Sequence, residues 1–404
     1  MKVLFVHQNF PAQFVGVASA LAGREGHEVV AIGSQTARAL PNVRLVRYTF
    51  GGEEAGAVHP FARRFETEVR RAEQIMYLGG DLIASGFVPD LVFVHCGWGE
   101  HLPLRTLFPA ARMVTYLEYF YRPDGLDTNF DPEWPRLSLD GAVGLRAKNA
   151  ATLLGLADTD VAISPTEWQR STFPAAFRPL IDVCHEGVDV DRVRPDGGAV
   201  LHLDGGPTLR AGEEVVTYVS RNLEPLRGYH TFMRSLAAIQ RGRPKARIVV
   251  VGGDGVSYGA APPRGATWKQ VFLDEHRRDL DLSRVHFLGR VDYATYLRVL
   301  QVSAVHVYLT YPFVLSWSLL EAMAAGCLVV GSATGPVTEV IDGSNGLLVD
   351  FFDPAGLADR VRAALADPAR HCGLRARARS TVVERYDRAD CVDRLLRLAG
   401  AAQP

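Results

Sequence analysis

Phe313-Val-Leu-Ser-Trp-Ser-Leu-Leu-Glu-Ala-Met-Ala-Ala-Gly326 decides how the rest of the chain is read. Upstream, Ala304-Val-His-Val-Tyr-Leu309 is short, rich in β-formers and bounded by polar residues, the pattern of a buried strand. Downstream, Cys327-Leu-Val-Val-Gly331 has the same character. Between them, Ser316 to Ala325 collects strong helix formers, and Gly326 stands where a C-cap glycine belongs. Strand, loop, helix and strand make a βαβ unit, whose helix N-terminus faces the carboxyl edge of a parallel sheet and holds anions there. Ser316, Trp317, Ser318 and Leu319 open that helix. Glu321 follows within the first turn or two, placed to meet hydroxyl groups of a ligand whose phosphates sit on the amides.

The chain has 404 residues, too many for one ordinary core, so two domains are expected. Apolar residues make up 48% and charged residues 22%, a soluble balance, and a formal net charge of −1 argues against nucleic acid as a partner. Cys96, Cys184, Cys327, Cys372 and Cys391 are scattered, odd in number and without metal spacing. They suit buried free thiols in a reducing cytoplasm. The sequence enters a strand at once, so no leader is expected, and no apolar run approaches a membrane span.

Lys2–Val6, Glu28–Ile32, Leu91–His95, Arg112–Tyr116, Asp160–Ser164 and Asp182–His185 are compact β-rich runs separated by helical stretches, which predicts a parallel, doubly wound sheet. Phe14 to Arg24 reads as a helix. Phe61, Phe65, Val69, Ala72 and Met76 recur at spacings of three and four, predicting an amphipathic helix that buries them. Its arginines are interleaved with Glu66, Glu68 and Glu73, so it reads as a solvated face, with peripheral membrane contact as the other reading. Three loops after strands attract attention: His7 to Phe14 with Asn9, His95-Cys-Gly-Trp-Gly-Glu-His101, and Glu118 to Arg122. His95, Trp98, Glu100, His101 and Asn9 are candidates for an acceptor site, against the plainer reading of polar and aromatic packing. A metal site on His95, Glu100 and His101 is disfavoured by the missing His-x-x-x-His pair. Pro195 to Gly212, with five glycines and two prolines, reads as a linker. A second set of strands follows: Val215–Ser220, a run from Arg247 ending in Gly252 and Gly253, and Val285–Val291. Helices are predicted over Tyr293–Leu300, Ala358–Ala366 and Ser380–Leu398.

Leu319 to Val330, then Gly335-Pro-Val-Thr-Glu339 and Asp342-Gly-Ser-Asn-Gly-Leu-Leu-Val349, resemble the donor-site signature of the family-4 retaining glycosyltransferases. The resemblance implies the GT-B fold: two Rossmann-like doubly wound domains facing each other across a cleft. Residues 1–205 would be the acceptor-side domain, 206–379 the nucleotide-sugar domain, and 380–404 a helix crossing back. It implies a nucleotide-diphosphate sugar as donor, a hydroxyl acceptor, and no cofactor or metal. Glu321 is carried over from the family motif. The partner glutamate eight residues earlier, which contacts the donor sugar in relatives, is here Phe313. Arg221 and Arg227 fall where relatives place an Arg and a Lys on the donor diphosphate. Two such cations would stabilise the charge that builds as the sugar leaves. Gly253 ends a strand at a nucleotide-type turn, and Val291 follows the glycine after which relatives hold the base. Glu118 lies near a sugar-contacting histidine of relatives and joins the catalytic candidates. Two other readings remain: a catalytically inactive GT-B binding protein, motivated by Phe313, and a nucleotide-sugar epimerase.

Overall fold

A computed structural model describes residues 1–50 and 58–402. It divides into two compact units, one of Met1–Gly187 with the chain from Arg388 onward, the other of Val188–Asp387.

The first unit is built on seven strands: β1 Lys2–Val6, β2 Glu28–Ser34, β3 Val43–Tyr48, β4 Leu91–His95, β5 Arg112–Tyr116, β6 Val161–Ser164 and β7 Ile181–Val183. They pair in the order β3-β2-β1-β4-β5-β6-β7, every pair parallel. A parallel sheet covered on both faces needs apolar residues on both, and β1 supplies them alternately. Val3 and Phe5 pack with Phe14, Phe93 and Leu395, while Leu4 and Val6 pack with Ile75, Leu82 and Val92. The strand order reverses between β1 and β4, which puts His7 and His95 at the switch point where such sheets bind ligands.

The second unit holds a small antiparallel hairpin, β8 Val200–His202 and β9 Thr208–Arg210, beside a six-stranded parallel sheet. The sheet strands are β10 Val215–Asn222, β11 Arg247–Gly253, β12 Val285–Gly289, β13 Val305–Tyr308, β14 Leu328–Ser332 and β15 Leu347–Val349. Their order is β12-β11-β10-β13-β14-β15, so the switch point lies between β10 and β13. Gly228, φ 70°, lets the loops after these two strands close on each other: a Cβ there would stand 2.3 Å from Leu309 Cβ.

Several expectations are corrected. The first unit ends at Gly187 and not at residue 205. The glycine-rich stretch is no bare linker, because Leu201 and Leu209 of the hairpin join Val215, Val249 and Val299 in the second core. The expected last helix is two helices, Cys372–Tyr386 in the second unit and Arg388–Leu398 in the first, broken at Asp387, whose ψ is 133°. The helix expected over 61–76 runs Arg63–Ala84 and is rotated: it buries Glu68, Ala72, Ile75, Gly79 and Leu82, and leaves Val69 and Met76 exposed. Glu68 tolerates burial because the Arg64 guanidinium one turn earlier pairs with it. Four cysteines are buried thiols, but Cys372 is exposed.

Candidate functional site

At the switch point of the second sheet, β10 runs out into Arg221 and a short turn carrying Arg227. Arg227 Nη1 donates to Thr310 Oγ1 and to the Val314 carbonyl, both at 2.9 Å, so the guanidinium ties the loop after β10 to the loop after β13. Arg221 is exposed, and its Nη1 donates to the Tyr258 hydroxyl at 3.4 Å. Between the two cations lies a pair of rings. Tyr258 sits 6.0 Å from the Arg221 guanidinium, Phe313 sits 5.7 Å from that of Arg227, and the ring centroids are 5.0 Å apart. Phe313 is only 2% exposed, so it offers a ligand no open apolar face; Tyr258 covers it. Glu224 holds Tyr258 there by accepting from the amides on either side of it, Ser257 and Gly259.

The helix Trp317–Ala324 opens beside this cradle. Ser316 is its N-cap and Trp317 lies exposed on its first turn, while Leu319 points its side chain into the core and leaves only its amide. Glu321 accepts from two phenols, Tyr293 Oη on Oε1 and Tyr296 Oη on Oε2, both at 2.7 Å. The two tyrosines stand three residues apart on the helix Tyr293–Gln301, and together they fix the plane of the carboxylate. Gly253 is closed over by Arg290, which donates to Asn222 Oδ1, and Val291 is half-buried beyond it.

The first sheet carries its own cluster. His95 is buried at the end of β4, with Nε2 3.6 Å from Glu118 Oε2 and its ring 5.2 Å from that of His7. Gln13 Nε2 donates to the other Glu118 oxygen at 3.4 Å. Trp98 is half-buried, stacked beside His95 with the Arg64 guanidinium over it, and Asn9 is exposed, accepting from Thr36. Burial, with the neighbouring His95 second, holds the His7 imidazole well below the usual range.

Two acceptor candidates are corrected. Glu100 is fully buried and accepts from the Tyr48 hydroxyl and the Gln8 amide, which fixes the loop after β1. Burial raises its pKa despite those bonds. His101 is buried against the Ala151 carbonyl, with its pKa pushed down to about 4 by burial. Both are held inside the fold by these bonds. Tyr258, Tyr293, Tyr296 and Gln13 escaped the sequence reading. The one signal on offer was Tyr293-x-x-Tyr296, which puts two phenols on one helix face.

Residues 25–193 match the glycosyl transferase family 4 group, and residues 213–367 match the glycosyl transferases group 1. The chain belongs to the family-4 glycosyltransferases and has the GT-B fold. It is 31% identical over 207 residues to a D-inositol 3-phosphate glycosyltransferase of Nocardia farcinica, a match over 50% of this chain and 44% of that protein. The chain thus spans less than half the length of that relative. It is 25% identical over 308 residues to a GDP-mannose-dependent alpha-(1-6)-phosphatidylinositol monomannoside mannosyltransferase of Mycobacterium tuberculosis, covering 72% and 71% of the two chains. Among solved structures, Anabaena Alr3699/HepE with UDP and glucose has a TM-score of 0.65 at 16% identity, over 99% and 100% of the two chains. Sucrose-phosphate synthase of Thermosynechococcus elongatus reaches 0.70 at 19% identity, over 98% of each. No helix among the described residues is long and apolar enough to cross a membrane.

Proposed function

We propose that this chain transfers a sugar from a nucleotide-diphosphate sugar to a hydroxyl of a polyol acceptor, with retention at the anomeric carbon and without a metal ion. In that reaction the bond from the anomeric carbon to the diphosphate oxygen breaks, a bond to the acceptor oxygen forms, and the acceptor proton leaves on the departing diphosphate. The observation that carries the reading is the second sheet's switch point, where Arg221, Arg227 and the helix Trp317–Ala324 supply positive charge and Glu321 supplies a fixed carboxylate. The polyol acceptor is supported by the names of the two relatives, one of D-inositol 3-phosphate and one of a phosphatidylinositol monomannoside. Retention rests on the family resemblance. The free thiols fit a cytoplasmic setting.

The test is release of nucleoside diphosphate from UDP-, GDP- and ADP-sugars, with and without inositol-type acceptors, in buffer containing EDTA. Acceptor-dependent release in EDTA is the expected result; activity that vanishes in EDTA and returns with manganese defeats the metal-free account. Donor binding without turnover on any acceptor would favour the second reading, a GT-B binding protein, to which the buried Phe313 lends itself.

Glu321 is assigned the ribose hydroxyls. Glu321→Gln is expected to weaken nucleoside diphosphate binding about tenfold, since a hydrogen bond to a charged group contributes about 1.5 kcal/mol or more. Tyr296→Phe, which leaves the carboxylate but frees its plane, should cost a smaller factor. Calorimetric titration of both variants checks the order; equal affinity in wild type and Glu321→Gln would remove the ribose assignment.

A further inference from the structure

Arg221 and Arg227 are held in opposite ways. Arg227 makes two hydrogen bonds of 2.9 Å, to Thr310 and Val314. Arg221 is exposed near the end of β10, and among the described residues its guanidinium has no ion pair and one hydrogen bond, 3.4 Å to the Tyr258 hydroxyl. Its aromatic neighbour among those residues is again Tyr258, with the ring centroid 6.0 Å away. A long side chain held at a single point keeps most of its rotamers, whereas a donor stabilises developing charge well when it is already aimed. Whatever aims Arg221 therefore lies in Tyr258.

Tyr258 is fixed from three directions. The Ser257 and Gly259 amides on either side of it donate to Glu224 Oε2 at 3.2 and 3.1 Å. Glu224 is only 1% exposed, and a buried carboxylate is tolerated where hydrogen bonds satisfy it; here they come from the two amides that flank one tyrosine. Asn222 Nδ2, next to Arg221 in the chain, donates to Ser257 Oγ at 2.7 Å. The Tyr258 ring rests on Phe313, which the Arg227 guanidinium backs from 5.7 Å. Covering Phe313 would need only an apolar side chain. The phenol oxygen that meets Arg221 does something a cover does not require. We propose that Tyr258 is the positioning residue for Arg221, fixing the direction of its guanidinium before the diphosphate arrives, and that Phe313 is the seat that holds Tyr258 in place. Phe313 thus has a task of its own where the family motif has a carboxylate. The diphosphate itself comes from the transfer reading, on which this assignment rests.

Calorimetric titration with UDP, GDP and ADP beside their monophosphates tests this without turnover. Wild type should prefer one diphosphate over its monophosphate. Tyr258→Leu should shrink that preference about three- to tenfold and leave the monophosphate affinity unchanged. Tyr258→Phe, which keeps the ring on Phe313, should restore part of it, and Phe313→Leu should act in the same direction as Tyr258→Leu. In an Arg221→Ala background Tyr258→Leu should change nothing further, because two residues that act through one guanidinium are not additive. In turnover, Tyr258→Leu should lower kcat at unchanged acceptor KM. A preference that survives Tyr258→Leu while Arg221→Ala abolishes it overturns the positioning role alone. So does an equal weakening of monophosphate and diphosphate, or a loss that adds in full to that of Arg221→Ala. A wild type without any diphosphate preference, or an Arg221→Ala variant that keeps it, overturns the positioning role together with the cradle. A preference lost jointly, without transfer on any acceptor, leaves the positioning role standing and removes the transfer reading instead.

Discussion

Arg221→Ala is expected to lower kcat/KM for sugar transfer by about two to three orders of magnitude, the cost of removing one preorganised donor from developing negative charge. Its effect on stability should be negligible. Arg221 is exposed and makes a single long hydrogen bond to Tyr258, so its loss orphans no buried group. Arg227 behaves differently, because its guanidinium joins Thr310 Oγ1 and the Val314 carbonyl. Arg227→Ala should therefore cost about 1–3 kcal/mol of stability in addition to activity. Arg227→Lys, which keeps the charge and loses the fork, should fall between that variant and wild type in rate. Steady-state kinetics beside amide-exchange protection of β10 and β13 separates the two effects. An Arg221→Ala enzyme working near the wild-type rate would take the donor away from this edge of the sheet.

Acid should unfold the second unit early, and His306 should be the main reason. This histidine is buried in β13, with Nδ1 against Thr217 Oγ1 at 2.8 Å and Nε2 without a hydrogen-bond partner. Burial lowers its pKa to about 3 from an ordinary 6.5. The folded value lies below the unfolded one, so the unfolded chain binds the proton first. The stability this group contributes is complete above pH 6.5 and drains away as pH falls towards 3. At about 1.4 kcal/mol per pH unit, the loss between pH 6.5 and 4 is about 3 kcal/mol. His306→Phe, which cannot take up a proton, should flatten the pH dependence of amide-exchange protection in β10 and β13 by that amount. An unchanged profile would mean that His306 is not the acid-sensitive group. The first unit is a poorer place to look: His7 and His101 titrate in the same direction, but the raised carboxyls of Glu68, Glu100 and Asp127 oppose them.

The sequence disclosed most where one physical rule governs a stretch. Buried parallel strands must be apolar on both faces, so Leu91–His95 and Arg112–Tyr116 could be read to the residue. β3, Val43–Tyr48, went unread because its Arg44 and Arg47 break the apolar run on a strand at the sheet edge. The rotation of the helix Arg63–Ala84 was hidden because periodicity counts apolar residues and cannot know that Arg64 makes Glu68 buriable. The candidate site divided along the same line. Arg221, Arg227 and Glu321 were legible from a local motif. Tyr258 belongs to a loop after β11, and its place between two cations depends on Glu224 from another loop. Glu100 and His101 looked functional because a strand-end loop of charged and aromatic residues has the composition of an active site, whatever it bonds to. Only their partners, Tyr48, Gln8 and Ala151, distinguish support from contact with a ligand.

The return of the chain into the first unit at Arg388 has a consequence for how the molecule is made. Val392, Leu395 and Leu396 of the helix Arg388–Leu398 complete the hydrophobic layer over Phe5 and Phe14, and Gly16 leaves room for Val392. A ribosome delivers the seven strands of this sheet well before that helix. The second unit is one continuous stretch, Val188–Asp387, and is fully synthesised before the helix appears. Order of birth and order of completion are thus inverted: the unit begun first waits, with one face of its core open, for the unit begun second to be finished.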